Sequence, residues 1–230
     1  MKNIVVITGA GISAESGLKT FRDSDGLWNN HRVTDVATPE AWLANKELVL
    51  DFYNHRRTEL GKVVPNDAHF ALCKLEAKFK VNIVTQNVDD LHERGGSSSV
   101  LHLHGELTKV RGEYSDYPVL DVGYDCICIG DQDVNGEQLR PHIVWFGEDV
   151  PRIMDASRIC EKANILLIIG TSLNVYPAAG LVTEVSKRCE IYLIDPKANE
   201  IGVMGNVNII KEKAGTAVPA LVDFLLKERS

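Results

Sequence analysis

Short apolar runs recur along this chain at wide spacing, each closed by a small or polar residue. They predict strands at Ile4 to Thr8, Val81 to Thr85, Val100 to Leu103, Ile165 to Gly170 and Glu190 to Asp195, with a further short one near Val207 to Ile210. Their length and near-continuous hydrophobicity suit strands buried on both faces of a parallel sheet. Helical patterns lie between them, at Glu40 to Leu60, Asp67 to Lys78, Asp155 to Ala163, Leu181 to Arg188 and Val218 to Lys227. Strands alternating with helices predict an α/β fold with a doubly wound parallel sheet. Two stretches break the alternation: about 28–66, helical and loop-rich, and about 108–140, rich in Tyr, Asp and Gly with short β-like runs. Both are expected to form a small inserted lobe, leaving about 1–27, 67–107 and 141–230 to the large lobe of a single domain.

Composition excludes several classes. A chain of 230 residues can bury one full core. Its net charge of −7 argues against a nucleic-acid partner, which would select a basic face, and is compatible with a basic peptide. The first strand begins at once, so no signal peptide is expected. The longest apolar run, Ile165 to Ile169, has strand length and not that of a membrane span. A cytoplasmic protein with no membrane partner is the expectation. The five cysteines, Cys73, Cys126, Cys128, Cys160 and Cys189, are odd in number and predict no disulfide framework.

The first strand leads directly into Thr8-Gly9-Ala10-Gly11-Ile12-Ser13-Ala14. Strand, glycine turn and expected helix start make a nucleotide site: Gly9 for the turn, Gly11 for close approach of a pyrophosphate, Ala14 at the small third position. The helix N-terminus would then offer N–H groups to the anion. An ordinary dehydrogenase would continue to a second strand ending in an acidic residue. This chain instead runs through Gly17 to Trp28, a polar loop that reads as a cover over a cofactor.

Other polar groups stand at strand ends. Gln86-Asn87-Val88-Asp89 follows the second strand, where position alone leaves two readings open: a capping turn, or a contact to a carboxamide. His102 and His104 share one face by strand alternation. Gly170-Thr171-Ser172 is either an ordinary turn or a ribose or phosphate contact. Val144-Trp145-Phe146-Gly147-Glu148 could be simple core. Tyr53 and Arg56, at i and i+3, share a helix face that is either solvated or a clamp for a small carboxylate.

The segments Gly9-Ala10-Gly11-Ile12-Ser13, Thr20-Phe21-Arg22, Gly26-Leu27-Trp28, Thr85-Gln86-Asn87-Val88-Asp89, His104-Gly105 and Gly170-Thr171-Ser172 resemble, in order, the motifs of the sirtuins, the NAD-dependent protein lysine deacylases. The resemblance spans nearly the whole chain. It implies a Rossmann-like, deoxyhypusine-synthase-like NAD-binding fold. It implies NAD contacts from Gly9, Ala10, Gly11, Ser13, Ala14, Thr20, Phe21, Arg22, Trp28, Gln86, Asn87, Asp89, Gly170, Thr171 and Ser172. Sirtuins often carry Asn where this chain has Asp195 as an adenine-ribose contact, and Ala217 is expected to flank adenine. His104, directly before Gly, would be the general base on the ribose, a task suited to a neutral imidazole. Val144, Phe146, Gly147 and Glu148 would contact an acyl-lysine peptide added as a β-strand.

The same resemblance implies the reaction. The acyl oxygen attacks the ribose carbon, nicotinamide leaves, and the acyl group ends on ADP-ribose. Phe52 to Arg57 resembles the subgroup whose Tyr-x-x-Arg pair reads succinyl or malonyl carboxylates, here Tyr53 and Arg56. Alternatives are an ADP-ribosyltransferase or a non-catalytic NAD or ADP-ribose sensor. Many sirtuins hold a structural zinc on two C-x-x-C pairs. This chain has only Cys126-Ile127-Cys128 there, so no metal is expected.

Overall fold

Side-chain alternation along the central strands decides the architecture. The computed structural model describes residues 1–19, 31–198 and 207–227, and the main chain of 27, 28 and 228. In chain order its elements begin with β1 (Asn3–Thr8), the ribbon β2 (Leu27–Trp28) and β3 (His31–Arg32), then α1 (Val33–Val36), α2 (Pro39–Ala44), α3 (Lys46–Lys62) and α4 (Asp67–Lys74). β4 (Lys80–Thr85), α5 (Leu91–Arg94), β5 (Val100–His102), β6 (Gly105–Gly112), β7 (Leu120–Asp121) and β8 (Leu139–Ile143) follow. The chain closes with α6 (Ile153–Cys160), β9 (Ile165–Ile169), β10 (Glu190–Ile194), β11 (Val207–Ile210) and α7 (Ala214–Glu228).

Six strands form one sheet in the order β11-β10-β9-β1-β4-β5, and every pairing in it is parallel. Ile4 and Val6 of β1 face a core shared with Leu72 of α4 and Val218 and Leu225 of α7. Val5 and Ile7 face the opposite core, with Ala156 and Cys160 of α6. Burial on both faces explains why β1 and β9 read as near-continuous apolar runs. The six predicted strands and the doubly wound plan are those of the structure. Among the described residues no helix is long and apolar enough to cross a membrane.

The helices depart from expectation in three places. The expected helix over Glu40 to Leu60 is broken at Asn45, whose main chain leaves the helical region and whose side chain accepts from Leu48 N at 3.0 Å. An Asn that caps the next helix ends the previous one. No α-helix forms over Leu181 to Arg188; a 3₁₀ turn covers Ala178–Thr183 instead. Thr183 Oγ1 turns back to Gly180 O at 2.7 Å, and Ser186 Oγ accepts from Arg188 N, local bonds that compete with a helix. α7 starts before the predicted Val218, with Glu15 accepting from Gly215 N at 2.8 Å.

A second sheet, β7-β6-β8, is antiparallel and packs with α1, α2 and α3 around its own core, including Trp42, Phe52, Leu60, Val110, Ile127 and Trp145. Polar side chains from α3 fasten its long loop. The Asn54 amide brackets Ile127, donating to its carbonyl at 2.8 Å and accepting from its amide at 3.0 Å. Arg57 is fully buried and donates to Leu107 O at 2.8 Å, Asn54 Oδ1 at 2.7 Å and Asp125 O at 3.2 Å. Nothing in the spacing of the sequence marked Arg57 as a core residue. Cys126 and Cys128, on either side of buried Ile127, are exposed, and among the described residues no three His, Cys, Asp or Glu side chains are grouped to hold a metal. Arg57→Leu is expected to destabilise the protein by about 2–4 kcal/mol, because it strands buried carbonyls. A denaturant midpoint equal to wild type would show that those bonds add nothing.

Candidate active site

From β1 the chain builds outward through β4 to β5, then crosses back to β9 on the other side. A crevice opens at the carboxyl ends of the strands where the winding reverses, as it does in open α/β sheets. The loops after β1, β4 and β9 converge there on a cleft of about 1380 Å³.

The loops after β1 and β9 meet main chain to main chain. Gly170 has φ +61°, and a Cβ on it would stand 2.4 Å from Ile12 N; one on Gly11 would stand 2.6 Å from Gly170 Cα. Gly11 N donates to Gly170 O at 2.9 Å. This adds a reason for glycine at position 11 that the sequence does not show: Gly170 fills the space a Cβ would take. The expected helix start is also replaced, by 3₁₀ turns at Ala10–Ile12 and Ala14–Ser16. The amides of Gly9, Gly11, Ile12 and Ser13 are spent on carbonyls of Ile169, Gly170, Gly9 and Ala10. The helix that does open at the cleft is α7, through Lys213 and Ala214.

The loop after β4 is laced to this turn. Asn87 Nδ2 donates to Gly9 O and to Ser13 Oγ, both at 3.1 Å. With both amide hydrogens used, Asn87 Oδ1 is left to accept a carboxamide hydrogen. Ser13 Oγ donates to Asp89 Oδ2 at 2.9 Å, and Leu91 N donates to Oδ1 at 3.2 Å. Burial raises the Asp89 pKa against these two bonds. Gln86 Nε2 reaches across to Thr171 Oγ1 at 3.0 Å. Such buried, directional polar groups suit a dinucleotide with a carboxamide at one end.

Two imidazoles brace the same loop. His104 Nδ1 lies 3.0 Å from Gln86 O. A carbonyl only accepts, so Nδ1 carries the hydrogen and Nε2 keeps its lone pair. Burial lowers the His104 pKa, partly offset by that carbonyl, so the ring is a neutral base at pH 7. The placement of His104 depends on Gly105, at φ +80°, where a Cβ would stand 2.0 Å from His142 O. His102 bonds Asn87 O at 3.0 Å and Glu93 Oε1 at 2.8 Å. Burial opposes its charge, but Glu93 outweighs burial and its pKa is raised. Behind the site, His92 Nε2 meets Thr8 Oγ1 at 2.9 Å, and the ring of His69, which helps cap α4, lies 5.0 Å from that of His92.

The predicted residues are largely brought together. Gly9, Ala10, Gly11, Ser13, Ala14, Gln86, Asn87, Asp89, His104, Gly170, Thr171, Ser172 and Asp195 line the cleft, as do Tyr53, Arg56, Val144, Phe146, Gly147 and Glu148. Ala217 does not; it is 3 % exposed and lies on the face of α7 that packs into the core. Thr20, Phe21 and Arg22 lie outside the described residues, and of Trp28 only the main chain, paired with His31, is described. The stretch Val144 to Phe146 has its amides engaged already, by His104 O, Glu148 Oε2 and Ala37 O. An added peptide strand would therefore have to use its carbonyls. Glu148, read as a peptide contact, turns its carboxylate to Arg140 at 2.8 and 3.2 Å. Arg140 and Trp145 were not singled out in the sequence. The available signal was an aromatic bracketed by Arg140 and Glu148, charges of opposite sign.

Comparison with known proteins places these features in company. Residues 9–177 match the Sir2 family. An NAD-dependent protein deacylase of Helicobacter pylori (strain ATCC 700392 / 26695) is 53% identical over 230 residues, covering 100% of both chains. One from Bacteroides thetaiotaomicron is 50% identical, covering 98% of this chain and 99% of the relative. A Sir2 homologue crystallised with NAD superposes with a TM-score of 0.88 at 38% identity, over 100% of this chain and 91% of that one. A Sir2–p53 peptide–NAD⁺ complex gives 0.75 at 25% identity, over 98% and 92%.

The His104 geometry generates a pH expectation. A base whose pKa is lowered stays neutral to lower pH, so kcat/KM should hold at pH 6.5 and fall only on further acidification. His104→Ala should cost about 10²–10⁴-fold in turnover. An acid limb centred above 6.5, or wild-type turnover in the variant, would remove His104 as the base.

Proposed function

The chain belongs to the Sir2 family and is an NAD-dependent protein deacylase, and from that premise we propose that it acts on lysines carrying acidic acyl groups, succinyl and malonyl, with acetyl also accepted. The observation that carries this reading is the pair Tyr53 and Arg56 on the wall of the His104 cleft. Burial lowers the Arg56 pKa to about 10, which leaves it a cation at neutral pH. Its guanidinium lies 5.7 Å from the Phe52 ring centroid, over an apolar surface. A carboxylate entering such a cleft loses hydration, and a cation beside a phenol replaces it. An acetyl group makes no such demand.

NAD, when bound, supplies the ribose that receives the acyl group and releases nicotinamide. Asn87 Oδ1 and Asp89 are the acceptors for the carboxamide end. Thr171, Ser172 and Asp195 lie along the wall toward α7, where the adenosine end is read. His104 Nε2 takes up a hydroxyl proton, with Nδ1–H held by Gln86 O. The peptide carrying the acyl-lysine lies along Val144 to Gly147.

Arg56→Met should lower succinyl relative to acetyl kcat/KM about tenfold to a hundredfold, the worth of a charge-assisted hydrogen bond. Nicotinamide release in the absence of peptide, measured alongside, should be negligible. Equal losses on both peptides would sink the acidic-acyl preference, and peptide-independent release would favour an ADP-ribosyltransferase.

The small lobe is read as folding without zinc. Exposure of Cys126 and Cys128, and the anchoring of the intervening Ile127 by Asn54, support this. The purified protein should carry far less than one zinc per chain and keep its Tm in chelator; a stoichiometric metal would overturn the reading.

A further inference from the structure

Trp145 is 2 % exposed and held on two sides. The Arg140 guanidinium stacks on its ring, 3.3 Å from the centroid. Arg140 is in turn gripped by both oxygens of Glu148 and donates to Ile143 O at 3.0 Å. Glu148 Oε2 also accepts the Trp145 amide at 2.7 Å. So fixed, the indole edge is aimed at one atom: Nε1 donates to the Tyr53 hydroxyl oxygen at 3.0 Å. Phe52 packs edge-on against the Tyr53 ring, at 5.0 Å and 88°.

The consequence is a matter of hydrogen count. An indole N–H can only donate, and a phenol has one hydrogen to give. Trp145 makes Tyr53 an acceptor on one side, so the Tyr53 hydrogen must go elsewhere. Among the described residues no acceptor takes it, and Tyr53 lines the cleft beside Arg56. A phenol that accepts one hydrogen bond also donates more strongly. Burial holds the phenol protonated, so it does not lose that hydrogen at neutral pH.

We propose that Trp145 is a positioning residue for acyl selectivity: its N–H compels the Tyr53 hydroxyl to donate into the cleft, toward the carboxylate that Arg56 attracts. The inference rests on the acidic-acyl reading above. Trp145 acts through Tyr53 and need not touch the acyl group. Arg140 and Glu148 hold the indole at the required angle.

The test uses the full-length protein as wild type, Trp145→Phe, Tyr53→Phe and the double variant. Kinetics are measured on succinyl- and acetyl-lysine forms of one peptide. Trp145→Phe should lower the succinyl-to-acetyl ratio of kcat/KM about threefold to tenfold, mainly through the succinyl KM. In the Tyr53→Phe background it should add nothing to that ratio, because the hydroxyl it acts through is gone. An equal loss on both peptides, or an undiminished effect without the Tyr53 hydroxyl, would assign Trp145 to packing alone. If Trp145→Phe folds too poorly for assay, benzothienylalanine at 145 keeps the shape, replaces N–H by sulfur and carries the same expectations. Arg56→Met, run in parallel, separates the two levels. If it leaves selectivity intact, the acidic-acyl reading falls; if it is selective while Trp145→Phe is not, only the role of Trp145 falls.

Discussion

The cleft depends on a main-chain contact between two loops, Gly9 to Gly11 after β1 and Gly170 after β9. No side chain fits between them. Because they touch, the ends of two adjacent parallel strands are locked at one separation. The loop after β4 then completes the floor through Asn87, which bonds Gly9 O and Ser13 Oγ. The polar groups that line the cleft are thereby held by rigid strand ends, and little conformational entropy is left to lose when a ligand is bound.

Two histidines at nearly the same place have their pKa values moved in opposite directions by their neighbours. His104 faces a carbonyl with Nδ1 and keeps Nε2 unprotonated, and burial lowers its pKa. His102 faces Asn87 O and the Glu93 carboxylate, so both nitrogens are needed as donors and its pKa rises. One keeps a lone pair toward the cleft, and the other is a strut between Asn87 O and Glu93. The residue type does not settle which is which; the acceptor opposite each nitrogen does.

The second lobe is organised by polar anchors more than by extended pairing. Asn54 and Arg57 reach from α3 to the loop around Ile127, and Tyr124 donates to Asp90 Oδ2 at 2.6 Å, tying that loop back to the residue before α5. Tyr53 sits on the same helix as these anchors and one turn from Arg57. The helix that stabilises the lobe thus also presents the phenol and guanidinium to the cleft.

The amino-acid sequence by itself determined the central strands β1 and β9, since strands buried on both faces must be apolar throughout, and the motif residues at the strands' carboxyl ends, since sheet topology brings those ends together. Local chemistry beyond that was only partly legible. Asn45 split a predicted helix and Ser186 helped to stop another, because capping bonds compete with helical periodicity over a few residues. Ala217 read as a ligand contact and is core, since helical phase cannot be judged without the helix start that Glu15 sets from 200 positions away. Only the tertiary structure decided that Gly11 is bare for Gly170, that Glu148 serves Arg140, that Arg57 is buried and that Trp145 donates to Tyr53 across 92 residues. Periodicity reports which face of an element is apolar. Which donor meets which acceptor is a property of distant segments brought to within 3 Å, and that is specified by packing.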